Sequence, residues 1–131
     1  MKQHRCLTDF IILTTIPHIF TLSYTMHDFC YTAIMSMTTL SSIWWHQTHE
    51  TSKKLLILDY SFAGLLCGYE LYQSTDKLYV LQLNLGILVI NKFMDILSKY
   101  SILKYNKGHC IYHVLSCYKT YYIAREIYLK R

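Results

Sequence analysis

The sequence predicts an all-α fold: a polytopic transmembrane helix bundle with about five (four to five) membrane-spanning helices, forming one domain over residues 1–131. Five apolar segments follow one another, and the first four have the 17–20 residues with which a helix crosses the ~30 Å hydrocarbon layer of a bilayer, while the fifth is slightly shorter. Only 16% of the residues are charged, whereas about 25% is usual in soluble domains. The mean hydropathy of +0.18 is low for a membrane protein, so a soluble or dimeric all-α protein is the alternative.

The first apolar segment, residues 7–24, follows a short basic stretch at residues 1–5. A basic start before an apolar core is typical of a signal peptide. No small-x-small cleavage site follows, however, and a second apolar segment begins at once. We therefore expect a retained first helix.

The second and third segments, residues 29–45 and 55–72, carry features of helices in a bilayer. The second is rich in Thr, Ser, Met and Ala, and it ends in two tryptophans, which favour the membrane–water interface. The third contains Gly64 and Gly68 in a G-x-x-x-G arrangement, which permits close contact between two helices.

The fourth and fifth segments, residues 78–97 and 109–123, complete the predicted bundle. Because the connections are short, we expect successive helices to run antiparallel. The end of the second helix, the start of the third, the end of the fourth and the start of the fifth would then share one membrane face.

The distribution of basic residues predicts that this shared face is cytosolic, where positive residues accumulate. The opposite loops carry only Lys77, although the basic tail (Arg125, Lys130 and Arg131) would also lie on that side. The residues assigned to the shared face are Lys2, Arg5, Lys53, Lys54, Lys99, Lys104 and Lys107.

Composition argues against two other classes of protein. The net charge of +5 comes from short loops and tails, with no basic stripe, so no nucleic-acid partner is expected. The five cysteines form no C-x-x-C pair and no regular framework. They indicate packing residues or free thiols and not a disulfide scaffold.

A set of polar residues falls at the shared face. His109 and His113 are four residues apart, so on a helix both rings leave the same side about 6 Å apart, and Ser42 and His46 have the same spacing. Three imidazoles could bind zinc, since catalytic zinc keeps three protein ligands and an open position for water. Asp59 could act as a general base or orient a ligand, and Ser42 could donate a hydrogen bond to the water or to a developing oxyanion.

Each of these residues also has a simpler interpretation. Two histidines four residues apart could lie at the membrane interface without a metal, and an Asp near a helix start is usually an N-cap. Ser42 could be a packing hydroxyl. His49 is an alternative ligand or a solvated loop residue, and Cys110 is a soft ligand type beside His109.

The order of these motifs resembles that of the CREST superfamily of membrane proteins, which includes alkaline ceramidases, progestin and adipoQ receptors, and hemolysin III-like proteins. The Ser-x-x-x-His that ends at His46, the Leu-Asp-Tyr around Asp59 and the His-x-x-x-His that begins at His109 match the family's three motifs. The resemblance implies a zinc ion on the three histidines, with Asp59 and Ser42 at its water. It also implies hydrolysis of lipid amides or esters, of which ceramide is the best-known example.

The family has seven helices, whereas this chain has room for five at most. The resemblance therefore implies a shortened bundle, whose lipid cavity a second copy could complete. The predicted function is zinc-dependent hydrolysis of a ceramide-like lipid amide or ester, with metal-activated water attacking the carbonyl. The alternative is a non-enzymatic membrane protein, receptor-like or a scaffold, that associates through its helices.

Overall fold

The computed structural model describes residues 9–129, in which all regular structure is helical. The prediction of an all-α fold is confirmed. The basic stretch at residues 1–5, the start of the first apolar segment and the last two residues of the tail lie outside the described range. The helices are α1 (Phe10–Leu13), a 3₁₀ helix (Ile16–Thr21), α2 (Leu22–Thr25), α3 (Phe29–Gln47), α4 (Lys53–Gln73), α5 (Lys77–Lys99) and α6 (Tyr105–Leu129).

The first apolar segment is broken and is not the continuous helix that was predicted. α1 ends at Leu13, four residues before Pro17, whose ring would clash with the Leu13 carbonyl in a longer α-helix. The chain continues as the 3₁₀ helix, with Pro17 in its first turn, and then as α2. Ile11 and Ile12 of this segment are buried against Cys110 of α6.

The long helices begin at side chains that cap their first turns. Asp28, Ser52 and Asp76 each accept a hydrogen bond from the backbone N–H three residues later, at the starts of α3, α4 and α5. α6 extends beyond the predicted residues 109–123 at both ends. Hydropathy marks only the apolar part of a helix, and α6 has Asn106 and Lys107 in its first turn and the charged Arg125 and Glu126 near its end.

Loops of a few residues connect the long helices, so successive helices run antiparallel. α3 packs against α4 and α5 packs against α6, while α6 also contacts the N-terminal segment. The end of α3, the start of α4, the end of α5 and the start of α6 therefore lie at one end of the bundle, which we call the histidine end. The sequence predicts that the serine, histidine and aspartate motifs lie together at this end.

A buried ion pair lies inside the bundle. Lys119 Nζ is 2.8 Å from Glu70 Oε2 and donates a second hydrogen bond to Asn84 Oδ1 at 2.9 Å. Tyr31 donates to the other carboxylate oxygen of Glu70 at 3.1 Å. These four side chains come from α6, α4, α5 and α3, so each long helix contributes one member.

Two helices of the described residues, α4 and α5, are long and apolar enough to cross a membrane. Only 11% of the apolar stretch of each is buried within the chain. α3 and α6 do not meet this criterion, because hydroxyl, histidine and charged residues interrupt their apolar sequence. Four to five spans were predicted, and two helices of the described residues meet the criterion for a span.

Gly64 and Gly68 make no tight helix contact with the part of the chain that the structure describes. A Cβ atom added at either position would meet nothing within 4 Å. Both glycines line an open apolar groove on α4, together with Leu65, Tyr69 and Tyr72. Within residues 9–129 of one copy, the contact that the G-x-x-x-G arrangement predicts is therefore not made.

Candidate metal centre

Three histidines converge at the histidine end. His46 lies in the last turn of α3, and His109 and His113 lie in the first turns of α6. The ring centroids are 4.9 Å apart for His46 and His109, 4.9 Å for His46 and His113, and 4.7 Å for His109 and His113. One nitrogen from each ring lies within 4.8 Å of the others, so the group could hold a metal ion.

The first turn of α6 packs closely on the end of α5, and this contact helps to position the two α6 histidines. Gly108 is buried, and a Cβ atom there would lie 3.2 Å from Met94 Cβ and 3.1 Å from Leu103 Cδ2. Both distances are shorter than ordinary van der Waals contact. A side chain at position 108 would therefore push α6 away from α5, directly beside His109.

The closest contact in the group joins His46 Nε2 and His113 Nε2, at 2.8 Å. Both rings are almost fully buried, with 0% exposure for His46 and 6% for His113. Without a metal, a hydrogen bond between the two rings satisfies both nitrogens. Two nitrogens on one tetrahedral zinc ion are about 3.3 Å apart, given zinc–nitrogen bonds of about 2.0 Å. The observed separation is about half an ångström shorter, so a bound ion of this size would move the two nitrogens slightly apart.

An acidic side chain that the sequence interpretation missed orients His46. Glu50, in the loop after α3, accepts a hydrogen bond from His46 Nδ1 to its Oε1 at 2.9 Å. Burial alone would raise the pKa of Glu50, but hydrogen bonds from His46 and Tyr105 lower it below its ordinary value. Where the Glu50 carboxylate accepts from Nδ1–H of a neutral His46 ring, Nε2, which faces the other histidines, carries the lone pair.

Asp59 lies in the second turn of α4, beside the end of α3. Its Oδ1 accepts a hydrogen bond from Ser41 Oγ at 3.3 Å, and Ser42 is also within hydrogen-bonding reach of its carboxylate. The N-cap of α4 is Ser52, so the interpretation of Asp59 as an N-cap is wrong. Asp59 is close enough to His46 to interact electrostatically with it.

Two alternative ligands from the sequence do not join the group. His49 is exposed in the loop after α3, with a left-handed backbone φ of 53°. Cys110 is buried beside Ile11 and Ile12, on another side of α6. Within residues 9–129, the ligand-type side chains that come together here are those of the three predicted histidines.

The sequence interpretation missed three contacts of this centre: Glu50 on His46, the Tyr105 ring on His109, and Ser41 on Asp59. Glu50 follows His46 by four residues, the same spacing that drew attention to the two α6 histidines, so spacing alone could have suggested it. Ser41 and Ser42 are adjacent, and nothing in the sequence shows that Ser41 also bonds to Asp59.

Comparisons with protein-family models, with curated protein sequences and with solved structures give no match for this chain. Interpretation of the centre therefore rests on its own geometry and on the order of its motifs. That geometry brings three imidazoles together, with a carboxylate and a hydroxyl beside them.

Proposed function

We propose that this chain is a zinc-dependent integral membrane hydrolase that acts on a lipid amide or ester. The convergence of His46, His109 and His113 carries the proposal, because three imidazoles, two of them buried and that of His109 half-buried, are a donor set suited to catalytic zinc. Asp59 interacts electrostatically with His46, and Ser42 interacts with the Asp59 carboxylate. The resemblance of the motif order to the CREST superfamily supports the same reaction and a ceramide-like substrate.

The residues around the metal have distinct roles in the proposed reaction. His46, His109 and His113 would hold the zinc ion, which would supply an activated water and polarise the substrate carbonyl. Asp59 accepts the proton that the water loses as it attacks the lipid carbonyl. Ser42 donates a hydrogen bond to the carbonyl oxygen as negative charge develops there. Ser41 holds the Asp59 carboxylate in place.

The exposed apolar surfaces of α4 and α5 support a position in the membrane. The central helix of a soluble protein is mostly buried, whereas these two helices bury only 11% of their apolar stretches. In the proposed multi-pass arrangement α3 and α6 cross beside them, and their polar residues face the bundle interior, where Lys119 already pairs with Glu70.

The charges of the loops orient this arrangement. Lys53, Lys99 and Lys104 lie at or near the histidine end, and the loop between α4 and α5 leads to Lys77 at the other end. By the positive-inside rule the histidine end faces the cytosol. A lipid substrate would then enter from the bilayer and meet the centre at the cytoplasmic surface.

Metal analysis of detergent-purified protein tests the proposal. We expect close to one zinc ion per chain in the wild type and a large loss of zinc in His113→Ala, since a neutral imidazole is a direct ligand. His27→Ala is the matched control, because His27 is exposed in the loop before α3 and should leave the zinc content unchanged. Folded wild-type protein with less than about half a zinc per chain would contradict the stoichiometry of a structural or catalytic site.

A second candidate function is a non-enzymatic membrane protein that assembles through its helices. The open groove at Gly64 and Gly68 favours it, because a G-x-x-x-G face without a partner inside the chain suits a helix of a second copy. Gly68→Leu should then abolish a homo-oligomer seen by cross-linking in membranes. Gly86→Leu on α5, also at an open position, is the control. Unchanged assembly in Gly68→Leu would rule out this groove as the interface.

A further inference from the structure

The loop between α3 and α4 contains two consecutive non-glycine residues with left-handed backbone. The φ angles are 53° at His49 and 59° at Glu50. The first is accounted for by the end of α3: His49 N–H donates to the His46 carbonyl at 3.1 Å and Glu50 N–H donates to the Trp45 carbonyl at 3.4 Å. These are the two hydrogen bonds of a Schellman motif. In that motif the residue after the C-cap, here His49, has a left-handed backbone.

The left-handed conformation of Glu50 is not required by that motif. Residues other than glycine, asparagine and aspartate rarely adopt this conformation, because it brings Cβ close to the following carbonyl oxygen. Such conformations persist where surrounding contacts hold them, and they are concentrated at functional sites. At Glu50 the result is a turn that brings the carboxylate back to the helix it has just left.

The returning carboxylate connects both halves of the centre. Glu50 Oε1 lies 2.9 Å from His46 Nδ1, and its side chain is only 14% exposed. Glu50 also accepts a hydrogen bond from the Tyr105 hydroxyl, at the first residue of α6. The Tyr105 ring stacks on His109, with centroids 5.2 Å apart and ring planes at 24°. One side chain thus contacts His46 directly and His109 through Tyr105.

From these contacts we infer that Glu50 is a positioning residue for metal binding: it fixes the protonated Nδ1 of His46, aims Nε2 at the ion, and aligns His109 through Tyr105. The inference rests on the proposed metal site. A carboxylate on the far nitrogen of a ligand histidine fixes the ring orientation and raises the basicity of the ligating nitrogen. Glu50 contributes no ligand atom to the histidine group.

The simplest other role for Glu50 is to stabilise the loop. A loop-stabilising carboxylate would change the melting temperature and leave the intrinsic affinity for metal unaltered. A positioning carboxylate changes the affinity and the coordination geometry, whether or not the melting temperature changes. Affinity for the metal therefore separates the two roles.

The test is a zinc titration of metal-stripped, detergent-purified protein against a competing chelator, together with the visible absorption spectrum of the Co²⁺-loaded protein. Glu50→Ala should weaken zinc binding by about 10–100-fold and shift the Co²⁺ bands. Glu50→Gln keeps an oxygen acceptor for Nδ1–H and should recover part of that loss. Tyr105→Phe, which removes the hydrogen bond and keeps the stack, should weaken binding less than Glu50→Ala.

The control is His49→Asn, in the same loop, because asparagine tolerates the left-handed conformation and His49 lies outside the histidine group. It should bind zinc as the wild type does. If the wild type binds no zinc, the metal site itself is wrong. If the wild type binds zinc and both Glu50 variants bind it within about twofold, the metal site stands and the role of Glu50 is overturned, since positioning residues contribute at least about tenfold. Glu50→Gln decides the matter where Glu50→Ala does not fold.

Discussion

Among single residues, Asp59 separates metal binding from catalysis. Its carboxylate bonds to Ser41 and lies near His46 without belonging to the histidine group. Asp59→Asn keeps the shape and the hydrogen bond from Ser41 but removes the base. We expect the variant to retain zinc and to lose at least about 100-fold in turnover, because a positioned general base contributes about 10²–10⁴-fold.

The measurement for Asp59→Asn pairs zinc content with hydrolysis of a short-chain ceramide analogue by protein in mixed micelles. Loss of zinc together with activity would make Asp59 a ligand or a structural residue. Unchanged turnover would remove it from the reaction. His27→Ala, from the exposed loop before α3, again serves as the control and should match the wild type in both measurements.

The residues of the centre differ in how far their positions could be predicted. His109 and His113 share a helix face by spacing alone, and alternation of the helices brings His46 to the same end. The contact of Glu50 with His46 depends on the left-handed backbone of His49 and Glu50. A sequence gives no sign of that conformation when neither residue is glycine. The hydrogen bond between Ser41 and Asp59 depends on how α3 is rotated about its axis where it packs against α4. Residue spacing within either helix does not determine that rotation.

At the scale of helices, the Lys119–Glu70 pair lies at the centre of a network that takes one side chain from each long helix. Lys119→Met would leave Glu70, which has no solvent exposure, as a buried charge without its partner. Breaking one side of a buried pair costs about 3–5 kcal/mol. We expect a correspondingly large decrease in the melting temperature in detergent.

The double variant Lys119→Met with Glu70→Gln distinguishes an ionic effect from lost packing. It removes both charges, and the glutamine can still accept the hydrogen bond from Tyr31. We expect it to recover most of the stability, since replacing both members of a buried pair is often close to neutral. A double variant as unstable as Lys119→Met would show that the unpaired charge of Glu70 is not the cause of the loss.

The helices themselves were largely predictable, and the differences have local causes. The apolar segments at residues 29–45, 55–72 and 78–97 correspond closely to α3, α4 and α5. α6 is longer than the predicted segment because its first turn is polar and because the charged Arg125 and Glu126 interrupt the apolar sequence near its end. Its Lys119 is compatible with burial because it pairs with Glu70. The first segment breaks before Pro17, because the proline ring ends the preceding α-helical turn. The length of the apolar segment does not reveal this effect.

At the scale of the whole molecule, the all-α class followed from composition, but the number of spans did not. α4 and α5 have apolar surfaces that face outwards, whereas α3 and α6 use hydroxyls, imidazoles and a paired lysine inside the bundle. Such interior residues lower the hydropathy of a segment whether or not it crosses a bilayer. Segment hydropathy therefore cannot separate a polar spanning helix from a helix that stays in water.

The most direct test of the account is the X-ray absorption spectrum at the zinc edge, recorded on detergent-purified full-length protein. The account predicts bound zinc with about three imidazole nitrogens and one further light atom at about 2.0–2.1 Å, and no sulfur at about 2.3 Å. The His113→Ala variant should lose this signal. Sulfur in the coordination shell, or a wild-type spectrum without bound zinc, would contradict a centre built on His46, His109 and His113.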